Sequence, residues 1–123
     1  MTPAALFALV VVAGVGGALL RHGAVVAFAG RERFPFVILV VNAVGSLLAG
    51  ALLGLASVLP ADWLIVAATG LCGALTTFST FTVDTVRLAI EGRGWAAVAN
   101  LFGSVALGLG CAAAGAAIVL TVA

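Results

Sequence analysis

The chain has 123 residues, of which 65% are hydrophobic and 7% are charged, and its formal net charge is +1. Soluble domains carry about a quarter charged residues, so this composition, with a mean hydropathy of +1.40, belongs to a protein of the lipid bilayer. It excludes a soluble catalytic domain, a nucleotide-binding loop and a basic surface for nucleic acid, because no stretch of the chain is left to form them.

Four apolar stretches occupy almost the whole sequence. A membrane-spanning helix needs about 20 mainly apolar residues, and the stretches cover approximately residues 4–29, 36–59, 63–90 and 95–122. The sequence therefore predicts one all-α domain over residues 1–123, with four transmembrane helices, in the cell membrane. The first stretch lacks the positively charged start of a signal peptide and is followed by further spans, so we expect it to be retained as a helix.

Small residues in the first two stretches predict close helix packing. The first stretch carries Gly16 and Gly17 shortly before Arg21. The second places Gly50 and Gly54 four residues apart, and therefore on one face of a helix. Such faces bury against another helix in a membrane.

The third stretch is interrupted at its centre by segment 73–81, whose sequence is GALTTFSTF. Glycine and hydroxyl residues weaken a helix, and unsatisfied backbone groups are costly in hydrocarbon. We therefore interpret this segment as a functional site with a helix break at its centre. A break frees carbonyl oxygens that suit a cation, whereas hydroxyl groups and the ring edges of Phe78 and Phe81 suit an anion.

The fourth stretch carries a polar-to-small stripe on an otherwise apolar helix. Asn100, Ser104 and Gly108 follow one another at steps of four residues. Residues at this spacing share a face. A polar stripe of this kind is expected to face protein or water rather than lipid.

Most polar residues inside the stretches donate hydrogen bonds and carry no negative charge, which favours an anion as the ligand. The exception well within a stretch is Asp84, for which we predict a structural pair with Arg87. The donors are Arg21, Asn42, Ser46, Thr69, Thr76, Thr77, Ser79, Thr80, Thr82, Asn100 and Ser104.

The basic residues between stretches favour one orientation. Arg31, Arg33 and Arg93 all lie between stretches on one side of the membrane if all four stretches span it, whereas the other side holds Asp62. The positive-inside rule then predicts that both termini lie outside.

Together these motifs resemble the Fluc family of small fluoride channels, also called CrcB proteins. The resemblance covers nearly the whole chain and is most specific in the third stretch. The matching segments are residues 16–18 leading to Arg21, residues 41–46 around Asn42, residues 70–73 and residues 76–81.

The resemblance implies an antiparallel, dual-topology dimer of four-helix subunits, with the third helix broken at its centre. It implies two fluoride paths along the subunit interface and passive fluoride export, which protects the cell from fluoride toxicity, so the protein is not expected to be an enzyme. The two subunits are either identical or two related chains of fixed opposite orientation. The biased charge of the connecting segments keeps the second arrangement open.

The resemblance also implies roles for individual residues. Phe78 and Phe81 would line the fluoride paths, Asn42 would donate to the ion, and Arg21 would lie near the pore vestibule. The backbone carbonyls of Gly73 and Thr76 from both subunits would hold a central structural sodium ion. We expect the hydroxyl and amide groups along the same path to come from Thr77, Ser79, Thr80, Asn100 and Ser104, where Asn100 stands at the position of a tyrosine in many relatives.

Two other classes of function are weighed against this interpretation. A proton-coupled exporter resembling the small multidrug resistance family also uses antiparallel dimers of four-helix subunits, but it needs an acid in the first helix, where this chain has none. A noncatalytic helical assembly protein would use the glycines for packing alone. That alternative predicts that Phe78→Ile leaves fluoride flux unchanged.

Overall fold

A computed structural model describes residues 1–28 and 34–122, and every regular element within them is helical. The third span is divided into four consecutive helical segments. Four helical stretches of the described residues are long and apolar enough to cross a membrane, so the prediction of an all-α multi-pass membrane protein is confirmed. The elements are α1 (Pro3–Ala27), α2 (Phe36–Gly54), α3 (Ala61–Ile65), the π-helix (Val66–Cys72), α4 (Gly73–Leu75), α5 (Phe78–Ile90) and α6 (Gly94–Val122).

Local sequence explains where the first two helices begin and end. Thr2 caps α1 by accepting a hydrogen bond from the Ala5 N–H at 3.3 Å, and Pro3 occupies the first turn, where a missing N–H costs nothing. α2 ends at Gly54, earlier than residue 59 where the apolar stretch ends. Residues 55–58 form turns, and Pro60 restricts Leu59 to an extended conformation, so the helix does not resume before the third span.

Glycines allow the spans to pack closely in two places. A Cβ atom at Gly50 of α2 would overlap the backbone of Ala112 in α6, and one at Gly115 of α6 would overlap the backbone of α2. Between the first and third spans, a Cβ atom at Gly17 of α1 would overlap the carbonyl of Leu71 in the π-helix. The backbone of the second span thus contacts that of the fourth, and the backbone of the first span contacts that of the third.

Gly17→Ala is expected to lower the thermal unfolding midpoint in detergent. The added methyl group would overlap the Leu71 carbonyl and lie 3.0 Å from the Leu75 nitrogen, and forced repacking of this kind costs about 1–3 kcal/mol. Gly16→Ala is the matched control, because a Cβ atom there has no neighbour within 4 Å. Alanine is also the better helix former by about 1 kcal/mol, so Gly16→Ala should keep or raise the midpoint. Equal midpoints for the two variants would contradict the close approach of α1 and the π-helix.

Charged groups lie at the ends of the spans. The amino terminus pairs with Asp62 at 2.6 Å, which brings the start of α1 and the start of the third span to the same end of the helix bundle. Arg87 makes its close ion pair with Glu91, at 2.8 Å, and its charge also acts on the carboxylate of Asp84, the predicted partner. Glu91 lies at the exposed end of α5, where both charges keep their hydration and avoid the cost of burial. Arg31 and Arg33, which contribute to the predicted orientation, lie outside the described residues.

Candidate functional site

The centre of the third span is broken at Thr76 and Thr77. Thr76 has a ψ of 157°, and Thr77 has a φ of −145° and a ψ of 123°. Both residues are extended, so α4 ends at Leu75 and α5 begins at Phe78. Gly73, which we expected to take part in breaking the helix, keeps helical angles of −63° and −36°.

The threonine side chains cap the helices on both sides of the break. The Thr76 hydroxyl and the Thr76 N–H each donate to the Cys72 carbonyl at 3.0 Å, which closes the preceding helical segment. The Thr77 hydroxyl accepts from the Thr80 N–H at 3.2 Å, which is the N-cap of α5. These bonds satisfy backbone groups that hydrocarbon would leave unpaired.

Asn42 of α2 holds Thr77 by its backbone. The Thr77 N–H donates to Asn42 Oδ1 at 2.8 Å, and Asn42 Nδ2 donates to the Thr77 carbonyl at 3.1 Å. In an unbroken helix the Thr77 N–H would bond the carbonyl of Gly73, so the Asn42 amide replaces a lost backbone hydrogen bond. An asparagine amide has two N–H donors. One Nδ2 hydrogen therefore lies outside this pair and is the one that could serve an anion.

Arg21 of α1 holds the other residue of the break. Arg21 Nη1 donates to the Thr76 carbonyl at 3.0 Å. Gly45 of α2 leaves room for the Thr76 side chain, since a Cβ atom at Gly45 would overlap it. The two extended residues are thus fixed by side chains from two other spans, and a positive charge lies at the break.

The break also changes the hydrogen bonds made by the Gly73 and Thr76 carbonyl groups, which were expected to hold a cation. The Gly73 carbonyl loses the Thr77 N–H as its helical donor, because that N–H bonds Asn42. The Thr76 carbonyl accepts from Arg21, and a carbonyl oxygen has two lone pairs. Both oxygens are therefore chemically suitable ligands for a hard cation such as sodium, although the Arg21 charge opposes a cation at the Thr76 oxygen.

The hydroxyl groups at the start of α5 form a cluster. Thr77 Oγ1 donates to Thr80 Oγ1 at 3.1 Å and lies 3.3 Å from Ser79 Oγ. Thr77 is buried, whereas Ser79 and Thr80 are exposed on the single chain. Hydroxyl hydrogens rotate to suit a partner, so the exposed members of the cluster are able to donate toward an anion.

The two phenylalanines of α5 differ in exposure. Phe81 is 8% exposed and packs inside the chain, whereas Phe78 is 79% exposed. Their ring centroids lie 5.8 Å apart with an interplanar angle of 49°. The positive edge of an aromatic ring attracts anions, and Phe78 presents its ring to whatever covers this face of the molecule.

Of the two predicted site residues of α6, Asn100 contacts α5 beyond the cluster of hydroxyl groups. Asn100 is 2% exposed, and its Nδ2 donates to Thr85 Oγ1 at 2.8 Å. Ser104 is half-buried. Thr85 was not singled out from the sequence. Its four-residue step from Phe81, a spacing at which a hydroxyl bonds the earlier carbonyl, is the signal that could have found it.

Comparison with known proteins gives a consistent result. A family model described as CrcB-like protein, Camphor Resistance (CrcB), matches residues 8–116. The chain is 46% identical over 98 residues to fluoride-specific ion channel FluC 1 of Streptomyces avermitilis, covering 78% of this chain and 73% of the relative. It is 43% identical over 113 residues to fluoride-specific ion channel FluC 1 of Thermobifida fusca, covering 90% and 92%. It is 38% identical over 102 residues to fluoride-specific ion channel FluC of Pyrococcus horikoshii, covering 80% and 82%.

Proposed function

The chain belongs to the CrcB-like family, and we propose that it forms a fluoride-specific ion channel in the cell membrane. The observation that carries the proposal is the break at Thr76 and Thr77, held by the Asn42 amide and the Arg21 guanidinium and followed by a hydroxyl cluster. Conduction is passive and involves no catalytic step. The first span contains no Asp or Glu, so a proton-coupled exporter is not favoured.

Selectivity follows from the groups that replace water around the ion. A small anion enters a dry path when hydrogen-bond donors substitute for its hydration shell. The remaining Nδ2 hydrogen of Asn42 and the hydroxyls of Ser79 and Thr80 supply donors, and the edge of Phe78 adds an apolar contact that favours negative charge. Arg21 lowers the electrostatic cost of an anion at this depth. A path in which these groups fit closely around a fluoride ion rejects larger halides.

We further propose that two copies pack in opposite orientations around the break. Ser79 and Thr80 are exposed on the single chain near the middle of a span. Lipid would leave their polar groups without partners, and a second subunit would cover them. The second subunit is either another copy or a related chain. A sodium ion bound by the Gly73 and Thr76 carbonyls of both subunits would supply a fixed positive charge that joins them.

Anion efflux from liposomes that contain this chain alone tests the function. We expect fluoride to leave and chloride to be retained, because chloride is too large for the path. Release of chloride as readily as fluoride would overturn the proposal. Chemical crosslinking of the same sample then separates two arrangements, since flux from crosslinked homodimers supports a homodimer, and flux only after addition of a related chain establishes a heterodimer.

Phe78→Ile is expected to lower fluoride efflux about tenfold, the equivalent of about 1.4 kcal/mol. Isoleucine keeps an apolar side chain but removes the positive ring edge that contacts the ion. Phe7→Ile is the matched control, because Phe7 is also strongly exposed, at 72%, but lies near the start of α1. Wild-type flux from Phe78→Ile would contradict the role of Phe78 in the fluoride path, whereas absence of flux from the unmodified chain as well would favour the helical assembly protein over the channel.

A further inference from the structure

We propose that Thr85 and Asn100 are positioning residues for Phe81. In this arrangement Asn100 of α6 holds the Thr85 hydroxyl, and the Thr85 hydroxyl holds the Phe81 carbonyl. The pair thereby sets the position of the first turns of α5, which carry the hydroxyl cluster and both phenylalanines. The inference rests on the proposed fluoride conduction and adds to it a residue, Thr85, that contacts no ion.

The hydrogen bonds form a continuous relay with a fixed direction. Thr85 Oγ1 donates to the Phe81 carbonyl at 2.8 Å, and Asn100 Nδ2 donates to Thr85 Oγ1 at 2.8 Å. A hydroxyl group has one hydrogen to donate. Because the Asn100 amide N–H is itself a donor, the Thr85 hydrogen is free to point at the Phe81 carbonyl.

The surroundings make this relay more effective than a surface hydrogen bond. Asn100 is 2% exposed, and Thr85 is half-buried between α5 and α6. Hydrogen bonds in a low-dielectric interior are stronger and polarise their neighbours. Because Asn100 is buried, loss of the Thr85 hydroxyl leaves the Asn100 N–H without this acceptor, at a cost typical of an unpaired buried donor.

The break in the third span explains why α5 needs such a support. Thr76 and Thr77 are extended, so the helical hydrogen bonds that would fix α5 to α4 are absent at this point. Among the described helices, α6 is the one that α5 contacts most. The Asn100–Thr85 bond is the side-chain hydrogen bond described between these two helices. It therefore fixes the height and rotation of α5 relative to α6.

Thr85→Val and its controls test the relay. Valine keeps the shape of threonine but cannot hydrogen bond, and we expect fluoride efflux to fall about tenfold while Thr85→Ser keeps most of it. Thr121→Val is the control. Its hydroxyl also donates to a carbonyl of its own helix, that of Ile118 at 2.9 Å, but it is exposed near the end of α6. We expect its efflux to stay within about twofold of wild type.

A double-mutant cycle separates a relay from independent packing effects. If Asn100 acts through Thr85, efflux from Asn100→Leu combined with Thr85→Val equals that of the more impaired single variant. Multiplication of the two losses would overturn the proposal, as would wild-type efflux from Thr85→Val.

A readout that does not depend on conduction keeps the two proposals distinct. We would introduce 4-fluorophenylalanine at Phe81 and record its ¹⁹F resonance in detergent. The relay predicts that Thr85→Val shifts this resonance and that Thr121→Val leaves it in place. Absence of a shift in Thr85→Val overturns the relay even in a conducting protein, whereas absence of fluoride efflux from wild type overturns the channel and leaves the resonance to decide the relay.

Discussion

Asn42→Leu is expected to lower fluoride efflux by about 100-fold or more. Leucine has a similar size, but it removes both hydrogen bonds to Thr77. Each buried backbone group left without a partner costs about 1–3 kcal/mol, and the sum corresponds to a loss of at least about 30-fold in rate if the break must keep its geometry. The Nδ2 hydrogen available to the anion is lost as well. Efflux from liposomes with matched protein content measures the effect.

Asn42→Asp separates the two roles of this side chain. A protonated carboxyl group both accepts and donates, so it reproduces the pair with Thr77, whereas a carboxylate repels the Thr77 carbonyl. Thermal stability of this variant in detergent is therefore expected to rise as the pH falls, because the folded state favours the protonated form. Its efflux stays low, because the protonated form has no second hydrogen for the ion. Wild-type efflux from Asn42→Leu would contradict both roles.

The four spans could be predicted from the sequence because each is a long and mainly apolar stretch, and hydrocarbon permits few structures other than a helix. The position of the break within the third span was harder to predict. Glycine at position 73 indicated a weak helix, yet it stays helical, and the extended residues are Thr76 and Thr77. Their conformation depends on Asn42 and Arg21. Those partners lie on other spans, and no local sequence pattern predicts the contacts that they make.

Dependence on contacts between spans also explains the other features of the structure that the sequence did not predict. A stripe of polar residues on α6 predicted that Asn100 faces protein or water, and it is buried against α5. The sequence did not reveal which helix it would meet. The π-helix of Val66–Cys72 also has no local signature. It lies where Gly70 and Gly17 bring the third span into backbone contact with α1, which is a property of the packed pair of helices.

Arg21→Gln is expected to lower fluoride efflux and to strengthen sodium binding. Glutamine keeps an N–H donor but removes the positive charge that lies at the Thr76 carbonyl. A unit charge about 8 Å from an ion contributes about 2 kcal/mol at an effective dielectric constant of about 20, so fluoride efflux should fall about 30-fold. The same substitution removes a charge that repels a cation at the Thr76 oxygen. The proposed sodium ion should therefore bind at least about 30-fold more tightly.

The sodium effect is measured without conduction, as the rise in thermal unfolding midpoint when sodium replaces choline in the buffer. This rise should be larger for Arg21→Gln than for wild type. Arg87→Gln is the control, because the Arg87 side chain is 75% exposed and pairs with Glu91 at the end of α5, so its efflux and its sodium response should stay close to wild type. A smaller sodium response in Arg21→Gln would mean that the guanidinium supports the cation site by ordering the Thr76 carbonyl, and an unchanged response would place the cation away from this oxygen. Either result would overturn the competition between Arg21 and sodium, because that competition requires both to act on the same carbonyl.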